Sequence, residues 1–224
     1  KRDDPRGTAQ ELGADRGRLA AARTPRITSR SNASARRQLK VKSWAEYYGE
    51  LPAVAHILRR ELPERWLRIH SLPESQRYAN TEPEYAELLR RHNDVAAEVL
   101  GDAEPVVICL CTWGRPEDHA ASFAEFRWAR RLSFSEIVVV KPDATDGPLA
   151  VSASPALWSA GHWDDLIRDI ADDRLPSVAL YNPRSGEVYA PYDGGADLFL
   201  ASRGRVAELR HRWSDWLSSH PEGL

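Results

Sequence analysis

Ser177-Val178-Ala179-Leu180-Tyr181-Asn182-Pro183-Arg184-Ser185-Gly186-Glu187-Val188-Tyr189-Ala190-Pro191-Tyr192-Asp193-Gly194-Gly195-Ala196-Asp197-Leu198-Phe199-Leu200 holds three short apolar runs separated by two turn signals. The runs at 177–182, 187–190 and 196–200 read as strands. Pro183-Arg184-Ser185-Gly186 makes the first turn and Asp193-Gly194-Gly195 punctuates the second, since Pro presets φ, Asp bonds nearby backbone N–H groups and Gly relaxes the backbone. Neighbouring strands joined so tightly favour a mainly antiparallel or mixed sheet packed with helices, an α+β fold.

Working outward, a closing helix is expected over 203–217. Val206, Leu209, Trp213, Trp216 and Leu217 fall at helical spacing and Ser202 is placed to cap it. Upstream, Trp163, Leu166, Ile167 and Ile170 mark a short helix over 163–171. Leu149–Ser154 reads as a weak strand and Ile137–Val140 as a firmer one. Residues 116–131 carry a mixed signal, helical in part. Val106 to Cys111 is apolar on both faces, the pattern of a central strand. Residues 82–100 form the clearest helix: Thr81 and Glu84 make a capping box, Pro83 suits the first turn and Gly101 stops it. Trp66–Leu72 reads as a strand closed by Pro73. Residues 43–62 read as a helix broken between Gly49 and Pro52.

Charge divides the chain unevenly. Residues 1–40 carry 11 Lys+Arg against 4 Asp+Glu and no Phe, Trp or Tyr, whereas 41–224 hold 20 basic and 29 acidic side chains, a net −9. The first piece has too little apolar surface to offset its ordering entropy and reads as a disordered basic extension. Position 1 is Lys and the chain has no Met. Val41, which a GTG start codon would encode, opens the first structured segment, so residues 1–40 read as upstream read-through. If the arm is genuine, its arginines could neutralise nucleic-acid phosphates. The folded part is expected to be a single domain over 41–224.

Several classes are disfavoured outright. The chain has no run of about 18 apolar residues for a membrane span and no apolar core of a signal peptide. It has no G-x-x-x-x-G-K-[ST] and no G-x-G-x-x-G. The two cysteines, Cys109 and Cys111, sit in an apolar strand and read as reduced, buried thiols of a cytoplasmic protein. Scattered histidines show no zinc-ligand spacing. No cofactor and no metal are therefore expected.

Two polar segments remain as candidate sites, Ile69–Tyr78 and Pro191–Asp197. Loops on a rigid scaffold are where function concentrates. His70, Asp193 and Asp197 are weak candidates for acid–base chemistry, and Glu74, Arg77 and Tyr192 for binding, with Arg77 suited to an anion. Each has a plain alternative: His70 as a donor to a backbone carbonyl, Asp193 as a turn residue, and Arg77 as the partner of a neighbouring carboxylate.

Four stretches carry a resemblance: Trp66–Tyr78 (WLRIHSLPESQRY), Glu84–Asn93 (EYAELLRRHN), Tyr189–Leu200 (YAPYDGGADLFL) and Trp213–Leu224 (WSDWLSSHPEGL). Over about 41–224 the chain resembles a family of small bacterial cytosolic proteins of unknown function. In that family a Tyr-Asp-Gly-Gly-x-Asp strand precedes a Trp-rich C-terminal helix. The resemblance implies no particular activity. Where its pattern leads one to expect a His before Pro191-Tyr192-Asp193, this chain has Ala190. The functional expectation is a non-catalytic interaction protein, immunity- or regulator-like, presenting its acidic surface to a basic protein partner. The alternative is a small hydrolase or transferase using His70, Asp193 and Asp197.

Overall fold

Val106, Ile108 and Leu110 enter one hydrophobic cluster while Cys109 and Cys111 enter another. Successive strand residues point to opposite faces, so a strand apolar at every position must be covered on both. That requirement organises the molecule into a sheet between two helical layers.

The computed structural model describes residues 42–113, 123–134, 136–140, 149–175 and 177–218. The basic extension over 1–40 lies outside the described residues, as do 116–122 of the mixed-signal stretch. The strands are β1 (Trp66–His70), β2 (Glu104–Trp113), β3 (Glu136–Val140), β4 (Leu149–Trp158), β5 (Val178–Tyr181), β6 (Val188–Tyr192) and β7 (Gly195–Phe199). They lie in the order β1-β7-β6-β5-β2-β4-β3, and every pairing is antiparallel. The choice between an antiparallel and a mixed sheet is thereby made, and the chain is an α+β domain.

The helices are α1 (Trp44–Tyr48), α2 (Ala55–Glu61), α3 (Glu82–Leu100), α4 (Asp164–Ala171) and α5 (Arg203–Arg212). Residues of α3, α4 and α5 build the larger cluster, with Trp128, Trp158 and Trp163 among them. Those of α1 and α2 build the smaller one. Each fully buried Leu or Ile contributes roughly 2 kcal/mol relative to exposure. The capping box of α3 forms as the sequence predicts: Glu84 N–H donates to Thr81 Oγ1 at 3.4 Å and Thr81 N–H to Glu84 Oε2 at 2.9 Å.

Pro105, Pro155 and Pro191 all sit inside strands. Each lies where its strand has a single paired neighbour, beyond the reach of β5, β3 and β5 respectively. A residue without an N–H is tolerated there.

Several boundaries shift from expectation, three of them at places that bear on the packing. The weak strand at 149–154 runs on to Trp158 because β2 continues beside it to Glu104. The helix expected over 203–217 stops at Arg212, and Ser214–Trp216 is a 3-10 turn. Trp213 and Trp216 stack with their centroids 5.9 Å apart. An i, i+3 apolar pair suits a 3-10 turn as well as an α-helix, so periodicity alone does not separate them. The strand expected to reach Leu72 ends at His70, ahead of a turn in which Glu74 and Ser75 have positive φ.

Candidate functional site

The 192–197 segment is held against β1 by a glycine. A Cβ added at Gly195 would lie 2.0 Å from the Ile69 carbonyl oxygen, so only glycine permits so close a strand approach. In this register Arg68 faces Asp197 and His70 faces Gly195. Arg68 Nε donates to Asp197 Oδ1 at 2.8 Å and Nη2 to Oδ2 at 3.1 Å. Trp66 Nε1 adds a third bond to Oδ1 at 2.8 Å. The Arg68 guanidinium also lies over the Tyr192 ring, 4.7 Å from its centroid. Burial works to lower the Arg68 pKa, but the bonds and charge of Asp197 outweigh it and leave it above the usual arginine value. Burial, with Asp197 and Asp193 adding to it against Arg68, pushes the Tyr192 phenol up to about 12.

Asp193 is committed in the same way. Arg77 Nε and Nη2 reach its Oδ2 at 2.7 and 2.5 Å, and the Tyr78 hydroxyl donates to the same oxygen at 3.0 Å. These contacts tie the β1–α3 loop, residues 71–81, to the β6–β7 turn. Arg77, Asp193 and Tyr192 border a hollow of about 290 Å³, together with Asp173, Ser177 and Ala190. Ala190 pairs with Asp197 in register, so a histidine at that position would stand beside the Arg68–Asp197 pair.

His70 and Glu74 lie elsewhere. They border a separate hollow of about 180 Å³ with Ser75, Asp215, Trp216 and Leu217. The His70 Nε2 is buried without a hydrogen-bond partner among the described residues. Burial, then the charges of Arg68 and Arg91, hold the imidazole below the ordinary histidine value, while the Gly194 backbone works to raise it. Among the described residues no hydrogen bond or ion pair joins His70 to Asp193 or Asp197. The structure thus brings Arg77, Tyr192 and Asp193 together, sets Asp197 beside Tyr192 through Arg68, and leaves His70 and Glu74 across the turn.

Among the described residues no group of three or more His, Cys, Asp or Glu is placed to hold a metal. Both cysteines are buried, and neither is in a disulfide among the described residues. Burial pushes the Cys111 thiol to about 12, and its Sγ donates to the Ala53 carbonyl at 3.4 Å, the environment of an inert packing residue. No helix among the described residues is long and apolar enough to cross a membrane.

Residues 54–221 match the family described as a domain of unknown function, DUF3885. The chain belongs to that family. No curated protein and no solved structure matches it. The matched region takes in both hollows, the β6–β7 turn and the loop that docks on it.

Sequence reasoning missed one polar cluster of this DUF3885 chain. Ser71 Oγ lies 2.7 Å from His92 Nε2, and His92 Nδ1 lies 2.6 Å from the Tyr189 hydroxyl. All three residues are sealed from solvent. A Ser–His contact resembles a nucleophile with its base, but no substrate reaches this one. It connects the β1–α3 loop, α3 and β6, and burial alone lowers the His92 pKa to about 4. The signal was present in the periodicity. His92 stands four residues from both Leu88 and Ala96 on the buried stripe of α3, where a polar side chain needs an internal partner.

Proposed function

We propose that this chain is a non-catalytic cytosolic interaction protein, immunity- or regulator-like, that presents an acidic surface to a basic partner. One observation carries the reading. Asp193 and Asp197, on which acid–base chemistry would depend, each accept from an arginine and from a second donor. A carboxylate so engaged serves as a staple between strand, turn and loop. The net −9 of residues 41–224 supplies the long-range attraction for a cationic partner. The test is a pull-down with the purified chain as bait in lysate of the source organism, read by mass spectrometry across a salt series. We expect one stoichiometric basic partner released at high salt. No partner on a demonstrably folded bait would sink the reading.

One observation favours a second reading, a small hydrolase or transferase using His70, Asp193 and Asp197. The buried His70 Nε2 has no hydrogen-bond partner among the described residues, and the residue borders a hollow next to Glu74. Turnover of ester or phosphoester probes that disappears in His70→Gln, with the fold retained, would support it. Equal rates in the two proteins would end it.

A further inference from the structure

Tyr78 is 45% exposed, and with Leu157 it is one of two exposed large hydrophobic side chains among the described residues. Unlike a typical surface side chain, it is held in place. Its hydroxyl donates to the buried Asp193, and the Arg77 guanidinium sits over its ring, 5.3 Å from the centroid. Arg77 is fixed by the same carboxylate while its side chain stays 63% exposed. Tyr and Arg dominate the energetics of protein interfaces. A pair already locked in one geometry loses little side-chain freedom when a partner arrives.

The surroundings indicate the sign of that partner. Both hollows are bordered by the 71–81 loop, one by Arg77 together with Asp173 and the other by Glu74 and Ser75 together with Asp215. The Glu74 and Asp173 carboxylates make no hydrogen bond or ion pair among the described residues, and among them the Asp215 carboxylate accepts only from the neighbouring Ser214 hydroxyl, at 3.3 Å. Many carboxylates elsewhere are already matched, among them Glu87 with Arg90 and Arg91, Glu98 with Arg205 and Arg212, and Asp94 with Arg90. Incoming cations therefore find open acceptors beside the Tyr78–Arg77 pair. Arg77 itself repels them little, because Asp193 neutralises it at 2.5 Å.

We infer that the face formed by the 71–81 loop, with the Tyr78–Arg77 pair and the two carboxylate-bordered hollows, is where a basic protein segment docks, its Lys or Arg side chains entering the two hollows. The inference rests on the interaction reading and adds the location of the surface. The test titrates isotope-labelled full chain with a lysine- and arginine-rich peptide at low and high salt, with an aspartate- and glutamate-rich peptide as control. The basic peptide alone should shift the amide signals of residues 71–81 and 193–195. Tyr78→Ala should weaken its binding by roughly tenfold, the size of an interface anchor. The triple variant Glu74→Gln, Asp173→Asn, Asp215→Asn should weaken it severalfold and flatten the salt dependence. Glu104→Gln, at the start of β2 in an ion pair with Arg184 and bordering neither hollow, should leave it unchanged. Retained amide dispersion establishes that each variant is folded. Binding that ignores the Tyr78 and triple variants would overturn this face and leave the basic-partner reading intact. No saturable binding of the basic peptide at low salt would overturn both.

Discussion

Asp197 lies buried, accepting from a guanidinium and from an indole N–H. Removing one member of a buried ion pair strands the other without solvent or counter-charge. Asp197→Ala should therefore lower stability by about 3 kcal/mol, measured by urea unfolding. Arg68→Met combined with Asp197→Leu should cost much less, because no charge is then left buried. Equal losses in the two proteins would show that the pair is not the source. Little of this was readable beforehand. An acidic residue between Ala196 and Leu198 announces a special position, but its partner stands 129 residues earlier in the chain. For Arg77 the plain alternative, the partner of a carboxylate, describes the contact in the structure.

Among the elements, the hairpin of β6 and β7 joins the region that was most legible to the part that was least. Its strands and turns follow from local chemistry. Gly186 takes a φ of +75° in the first turn, and the Tyr47 ring packs so closely there that an added Cβ would lie 2.4 Å from it. The docking of β1 on β7 depends on Gly195, whose need for glycine comes from another strand's carbonyl. Gly195→Ala should separate the two strands locally and destabilise the protein by roughly 3 kcal/mol. Amide exchange should rise at Leu67, Ile69 and Leu198, while the signals of α4 stay protected. Uniform loss of protection would argue against a local effect. Helix α3 was legible end to end because its cap and stop are both written in adjacent residues. Helix α5 was overextended because the packing of Trp213 on Trp216 favours a 3-10 turn only once the core has formed.

For the whole molecule, the sealed Ser71–His92–Tyr189 chain makes stability depend on pH. An ordinary histidine titrates near 6.5 and folded His92 near 4. Above 6.5 neither the folded nor the unfolded protein holds the proton. As the pH falls below that, only the unfolded chain takes it up, so stability drops by about 3 kcal/mol between 6.5 and about 4. Glu187, whose carboxyl burial pushes up, acts in the opposite direction at low pH, so the comparison must be made against a variant. His92→Gln should be less stable at neutral pH yet lose the extra slope across that window in urea unfolding. An unchanged slope would place its origin in other groups. The sequence by itself determined the α+β class, the succession of nearly all elements and the two-sided burial of β2. Those follow from periodicity, caps and turns, which act over a few residues. Only the tertiary structure decided that the sheet is wholly antiparallel, that Asp193 and Asp197 are stapled by Arg77 and Arg68, and that His70 lies across the turn from them. These contacts join residues more than a hundred positions apart, and strand order and register, which local pattern does not specify, bring them together.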